Sequence, residues 1–127
     1  MLNDKNAVAN LAVKDLRRAR HFYTDTLGLK QINSGDTEVL IFKSGSTTLN
    51  VYRSDYAGTN RATAVTWAVG DELESVAAAL KQKGVSFEHY DMPDLKQEGD
   101  VYSNGNMKVA WFKDPDGNIL NLVNVDE

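Results

Sequence analysis

The sequence predicts an α+β fold made of two βαβββ modules, and an internal repeat carries that prediction. The segment Val13-Lys14-Asp15 leads to Gly28, and Val69-Gly70-Asp71 leads to Gly84, with the same thirteen-residue spacing from Asp to Gly. Each Asp follows an alternating apolar stretch, AVANLAV in the first copy and ATAVTWAV in the second. Alternation of this kind reads as a strand with one buried face. The ends of the copies also match: Leu49-Asn50-Val51 follows Gly45, and Leu120-Asn121-Leu122 follows Gly117.

Each element has its own reason. After the first strand of each copy, Asp15 or Asp71 suits a helix N-cap, because its carboxylate can accept from the free amides of the first turn. Gly28 and Gly84 suit the helix stop, where a left-handed backbone is needed. Between them, Leu16, Ala19, Phe22, Tyr23 and Leu27 recur at helical steps, as do Leu73, Val76, Ala77 and Leu80. Arg17, Arg18 and Arg20 are expected on the solvent face. Three strands then follow in each copy: about 29–34, 37–43 and 46–53, then about 85–90, 107–113 and 118–124. Turn signals separate them at Ser34-Gly35-Asp36, Ser44-Gly45-Ser46 and Asp114-Pro115-Asp116-Gly117-Asn118. In that last turn Pro and Gly have a sufficient structural role, so no catalysis is assigned to it. The stretch 91–106 reads as a long irregular, acidic loop, a kind of segment that is often functional or mobile.

The chain is expected to form one domain over 1–127, with module one at about 7–54, a linker at about 55–61 and module two at about 62–125. Its 127 residues, 42% apolar and 25% charged, suit a core that needs no staples. No cysteine is present, which excludes disulfides, thiolate catalysis and thiolate metal sites. A net charge of −4 argues against nonspecific nucleic-acid binding. No apolar run reaches membrane-spanning length, and the first residues lack a signal-peptide pattern, so no membrane association and a cytoplasmic location are expected.

The strings FYTDTLGL in the first module and FKDPDGNILNLV in the second resemble the vicinal-oxygen-chelate superfamily, which includes glyoxalases, bleomycin resistance proteins and dioxygenases. The resemblance runs from about residue 7 to residue 125. It implies that each module curls a mixed sheet into half a cup, that the two enclose a cleft, and that the protein is a homodimer. Metal-using members place one ligand on the first strand and one on the last strand of each module. Carried onto this chain, those positions are Val8, Asn50, Ala64 and Asn121. Two are aliphatic and two are neutral amides, whereas a divalent ion needs carboxylate, imidazole or thiolate donors. His21 and His89, the two histidines, fall at none of the four. A register slip would offer Asn10, Thr48, Tyr52 and Thr66, still without an ionisable donor. No metal, no cofactor and no catalytic residue are therefore expected.

Strand alternation puts Val8, Asn10 and Ala12 on one face, and Ala64, Thr66 and Ala68 on the matching face of the second copy. The ligand-binding candidates are Asn10, Asn50, Tyr52, Thr66, Tyr102, Trp111 and Asn121. Asn50 and Asn121 sit inside strands against β-propensity, so they are compensated either by a ligand or by hydrogen bonds to each other or to backbone. Tyr52 shares the face of Asn50. Trp111 is expected opposite the core face of Phe112, Tyr102 in the long loop, and Tyr90 at the mouth. Trp67 is expected in the core. Aromatics of this sort can stack planar or cationic ligands. The group Glu88, Asp91, Asp94, Glu98 and Asp100 either attracts a cation or forms a solvated loop. His89, among them, is the one proton-transfer candidate.

The function expected from these residues and the resemblance is metal-free binding of a small molecule, aromatic or cationic, as in the bleomycin-resistance branch. The alternative is an enzyme, a lyase or isomerase related to glyoxalases or dioxygenases, with an atypical or absent metal site. A third reading is an assembly module whose cleft is vestigial.

Overall fold

The structure, a computed structural model, describes residues 1–34 and 38–126. The described residues divide into two compact units, Met1–Gly58 and Thr59–Glu127. Each repeats one plan, an α+β arrangement of a mixed sheet with a helix.

In the first unit the strands are β1 (Ala9–Val13), β2 (Lys30–Gln31), β3 (Val39–Ser44) and β4 (Thr47–Arg53), in the sheet order β1-β4-β3-β2. The first and last strands pair in parallel, and the other contacts are antiparallel. Alternation sends Leu11, Val13, Leu40, Phe42, Leu49 and Val51 to one buried face. That face packs on helix α1 (Leu16–His21) and the π-helical turn Phe22–Thr26. Asp15 caps α1 as expected, accepting from the Arg18 amide at 3.1 Å. The helix is shorter than its apolar pattern predicts, because the chain widens by one residue per turn at Phe22, and Leu27 N–H donates to the Phe22 carbonyl. This leaves Phe22 and Tyr23 both buried, edge to face at 5.2 Å. Gly28 then ends the helical stretch at φ +78°, as the sequence requires. Of the turn expected at Ser34-Gly35-Asp36, the two last residues lie outside the described residues.

The second unit contains β5 (Thr63–Ala68), α2 (Leu73–Gln82), β6 (Phe87–Glu88), β7 (Lys96–Glu98), β8 (Val101–Asn104), β9 (Met107–Lys113) and β10 (Ile119–Val123). β5 and β10, its first and last strands, again pair in parallel, and β9 again lies antiparallel beside the last strand. Two expectations fail here. Asp71 is not the cap of α2. Val69 and Gly70 go on donating to Val123 and Val125, which holds the chain to β10 for longer. Gly70, at φ +57°, then opens a 3-10 turn that contains Asp71, and α2 starts only at Leu73. The segment 91–106 is also not irregular. It holds the hairpin β7–β8, and Tyr102 is a strand residue. β8 pairs with the first half of β9 and β6 with its second half, so the hairpin prolongs an edge that β6 alone would leave open. Leu73, Ala77 and Leu80 bury against a sheet face bearing Ala110, Phe112, Leu120 and Leu122. Trp67 stacks on Phe112 there, half-buried, at 6.5 Å.

Candidate functional site

Opposite each core face lies a second face with polar residues at matched places. In the first unit β1 and β4 set Asn10 against Asn50 and Ala12 against Tyr52. Ile41 of β3 flanks Asn50 on its other side. Asn10 is exposed and leans its amide toward the Val8 carbonyl at 3.4 Å. Tyr52 is exposed and Asn50 half-buried. Strand register thus sets Asn10 beside Asn50, and Tyr52 lies two residues further along the same face.

The second unit repeats the pattern with larger groups. Thr66 of β5 lies beside Asn121 of β10, and Trp111 of β9 lies on its other side. A bulge at Ile119/Leu120 moves the register, so Ala64 has no partner residue on β10. The Trp111 ring is held on three sides. Its indole N–H donates to Thr63 Oγ1 at 3.2 Å, and Tyr90 and Tyr102 meet it edge-on at 5.5 and 5.4 Å. Tyr102 is only 1% exposed, and its hydroxyl accepts from the Tyr90 amide at 2.6 Å and donates to the Tyr90 carbonyl at 2.9 Å. One phenol thus replaces the strand pairing that β6 loses beyond Glu88. Tyr102 is positioned to hold Tyr90 and Trp111, not to meet solvent from a loop.

Around these rings lies an open cavity of about 280 Å³, lined by Arg61, Thr63, Tyr90, Met92, Trp111 and Ile119, with Ala62 between the first two. Tyr90 in this lining and Asn121, the register partner of Trp111, each carry a buried polar atom with no hydrogen-bond partner among the described residues, Oη and Oδ1. Native structures seldom leave such atoms unpaired, because each costs desolvation without return. Burial raises the Tyr90 phenol above its ordinary value, and the Glu88 carboxylate and Tyr102 add to the rise. Tyr90 therefore stays protonated at neutral pH and offers a donor, while Asn121 offers an acceptor. Arg61 and Met92 carry no sequence signal that marks them: one falls in the expected linker, the other in the expected loop.

The acidic run is largely spent on ion pairs. Asp100 accepts from His89 at 2.8 Å and from Lys81 at 2.9 Å, which lowers its carboxyl below the ordinary range. Glu98 pairs with Lys96 and Glu88 with Lys113. Lys81 thus ties α2, and His89 the chain just after β6, to Asp100 in the β7–β8 turn. In the 114–118 turn, Asp114 Oδ1 accepts from the Asp116 and Asn118 amides, both at 2.9 Å, and Oδ2 accepts from the Asn118 side chain at 2.8 Å. That carboxylate is fully used in shaping the turn.

The residues at the positions the family uses for metal do not fit an ion. Val8 is an exposed aliphatic just before β1, and Ala64 sits at the bulge. Asn50 and Asn121 bring only neutral amides, and a carbonyl oxygen without carboxylate or imidazole neighbours cannot displace the water shell of a divalent ion. Among the described residues no three histidines or carboxylates gather in a metal-binding group. No helix among them is long and apolar enough to cross a membrane.

The family model described as glyoxalase/bleomycin resistance protein/dioxygenase superfamily matches residues 6–122. No curated protein matches the chain. Several solved structures share its fold. The glyoxalase family protein from Enterococcus faecalis is 22% identical, with a TM-score of 0.71 over 97% of this chain and 99% of that one. The fosfomycin resistance protein FosX from Listeria monocytogenes is 16% identical, with a TM-score of 0.73 over 99% and 93%. Lactoylglutathione lyase from Agrobacterium tumefaciens is 16% identical, with a TM-score of 0.70 over 94% and 92%.

Proposed function

The chain belongs to the glyoxalase/bleomycin resistance protein/dioxygenase superfamily, and on that premise we propose that it binds a small aromatic molecule without a metal, at the Tyr90–Trp111 cavity of its second unit. The observation that carries this reading is the pair of unsatisfied buried atoms, Asn121 Oδ1 and Tyr90 Oη, beside a ring fixed by three neighbours. A pinned indole loses little freedom when a second ring stacks on it, so its contact area goes into affinity. An apolar hole of roughly 150 Å³ already accepts benzene, so the cavity has room for a substituted ring. Arg61 in its lining favours an acidic substituent over the cationic ligand expected from the acidic run and from the bleomycin-resistance resemblance. The mechanism is capture: Tyr90 donates, Asn121 accepts, Trp111 stacks, and no bond is made or broken.

Hydroxybenzoates, whose hydroxyl can donate to Asn121, and matched hydroxybenzylamines, titrated into the full chain and followed by ligand-observed NMR, test this. The benzoates are expected to bind more tightly. Tyr90→Phe should weaken them about tenfold, the worth of one hydrogen bond to a charged or strongly polar group. Affinity unchanged from the wild type in both Tyr90→Phe and Trp111→Ala would falsify the proposal. Turnover of any captured compound, abolished in His89→Ala, would instead support the enzyme alternative.

A further inference from the structure

A second depression, of about 600 Å³, lies in the first unit where α1 and the π-turn run beside β2. Arg17, Arg20 and Lys30 line it, with Asp25 as the one carboxylate among the described residues and with His21 and Thr24. We propose that this depression binds a small molecule through a phosphate-type oxyanion. The proposal does not depend on the ligand site of the second unit.

Charge is the first argument. The chain as a whole is acidic, at −4, yet three permanent cations converge here. The single carboxylate is already engaged, since Asp25 Oδ2 lies 2.7 Å from His21 Nδ1. Like charges gathered around one depression repel one another unless something of opposite sign joins them.

Orientation is the second argument. Arg20 is half-buried, and its Nε–H donates to Gln31 Oε1 at 3.1 Å. Gln31 is itself held, its amide donating to the Asn33 carbonyl at 3.0 Å. Asn33 is locked to β3, donating to the Val39 carbonyl at 2.8 Å and accepting from the Ile41 amide at 2.9 Å. This relay fixes the plane of the Arg20 guanidinium and, among the described residues, leaves its two terminal nitrogens unspent. Such a fork suits two oxygens of one phosphate, and it has lost its rotamer freedom in advance.

The third argument is an orphan. Thr24 lines the same depression, and its Oγ1 is buried with no hydrogen-bond partner among the described residues. A helical threonine ordinarily returns its hydroxyl to a carbonyl one turn back. Here the residue lies in the π-turn, a distortion that is rare and concentrates at functional places. A bound oxyanion would accept from that hydroxyl. The depression is larger than a bare ion requires, so the anion is read as one group of a small molecule.

Inorganic pyrophosphate titrated into the full chain at low salt, followed by amide NMR and by the Arg20 Nε–H signal, provides the test. Saturable shifts at Thr24, Arg20 and Lys30 are expected. Arg20→Gln should weaken the apparent affinity about tenfold or more, and Thr24→Val severalfold. Arg18→Gln removes the same charge from the same helix but outside the depression, and should stay within about twofold. Equal weakening by Arg18→Gln and Arg20→Gln would reduce the effect to general attraction by a basic helix and overturn the proposal, as would the absence of saturable shifts. If Arg20→Gln fails to fold, Lys30→Gln, an exposed strand residue, takes its place in the same comparison with Arg18→Gln.

Discussion

Two side chains set how tightly the second unit's aromatic face is defined, and they act in opposite senses. Asn121 is 8% exposed and carries an acceptor with no partner among the described residues. An unpaired buried acceptor costs about 1–3 kcal/mol. Asn121→Leu keeps the shape and removes that cost, so its urea midpoint should match or exceed that of the wild type, while hydroxybenzoate affinity falls about tenfold. A large loss of stability with intact affinity would make Asn121 a structural residue. Tyr102 is the reverse case, since both hydrogen-bonding functions of its hydroxyl are satisfied by Tyr90. Tyr102→Phe leaves the Tyr90 amide and carbonyl short of a partner and should cost roughly 1–3 kcal/mol by urea denaturation. Its ligand affinity should fall only as far as Tyr90 and Trp111 shift.

The element with the clearest electrostatic signature is the β7–β8 hairpin. Its turn carries Asp100, which is clamped by His89 and by Lys81 from α2. His89 first and then Lys81 lower the Asp100 carboxyl below its ordinary value. A carboxylate with a depressed folded value stabilises the fold fully at neutral pH. Its contribution fades once pH drops below about 4, where the unfolded chain takes up the proton, and it is gone below the folded value. With one side of the clamp open to solvent, the contribution is about 1 kcal/mol or less. Asp100→Asn should therefore be slightly less stable than the wild type at pH 7 and equal to it in strong acid. Hydrogen exchange of Val101–Asn104 should rise in the variant at pH 7. An unchanged difference at both pH values would show that the clamp is not electrostatic. The ion pair Glu74–Lys108, at 2.7 Å but largely exposed, needs no such role.

At the scale of the whole chain the question is which chemistry of the superfamily survives. The fold is shared with proteins whose names denote a lyase and an antibiotic-resistance protein, at identities too low to carry an activity. The donor set at Val8, Asn50, Ala64 and Asn121 speaks against the family's metal. Thermal-shift titration with Mn²⁺, Ni²⁺ and Zn²⁺ should leave the melting midpoint unmoved, because only an ion bound by the folded state raises it. A saturable rise would put the four positions in the wrong register and move the enzyme reading to the front.

Much of this architecture was legible in the chain because repetition and alternation are local. The repeat from Asp15 to Gly28 and Asp71 to Gly84 and the two faces of each strand follow from period-two geometry and from where a helix must stop, whereas the register that sets Asn10 beside Asn50 and Thr66 beside Asn121 is long-range pairing. The family was legible for the same reason, since its motifs are turn and cap residues whose spacing a fold dictates. Three matters were decided only by tertiary structure. Asp71 lost its cap because Val69 and Gly70 stay paired to the end of β10, a contact more than fifty residues away in sequence. The polar stretch 91–106 became a hairpin because the open edge of β9 accepts strands that their own composition does not announce. The two cavities arose where residues with no shared motif, Arg61 with Trp111 and Arg20 with Lys30, are brought to one surface. Local patterns settle which way a side chain points, but only long-range pairing settles what it points at.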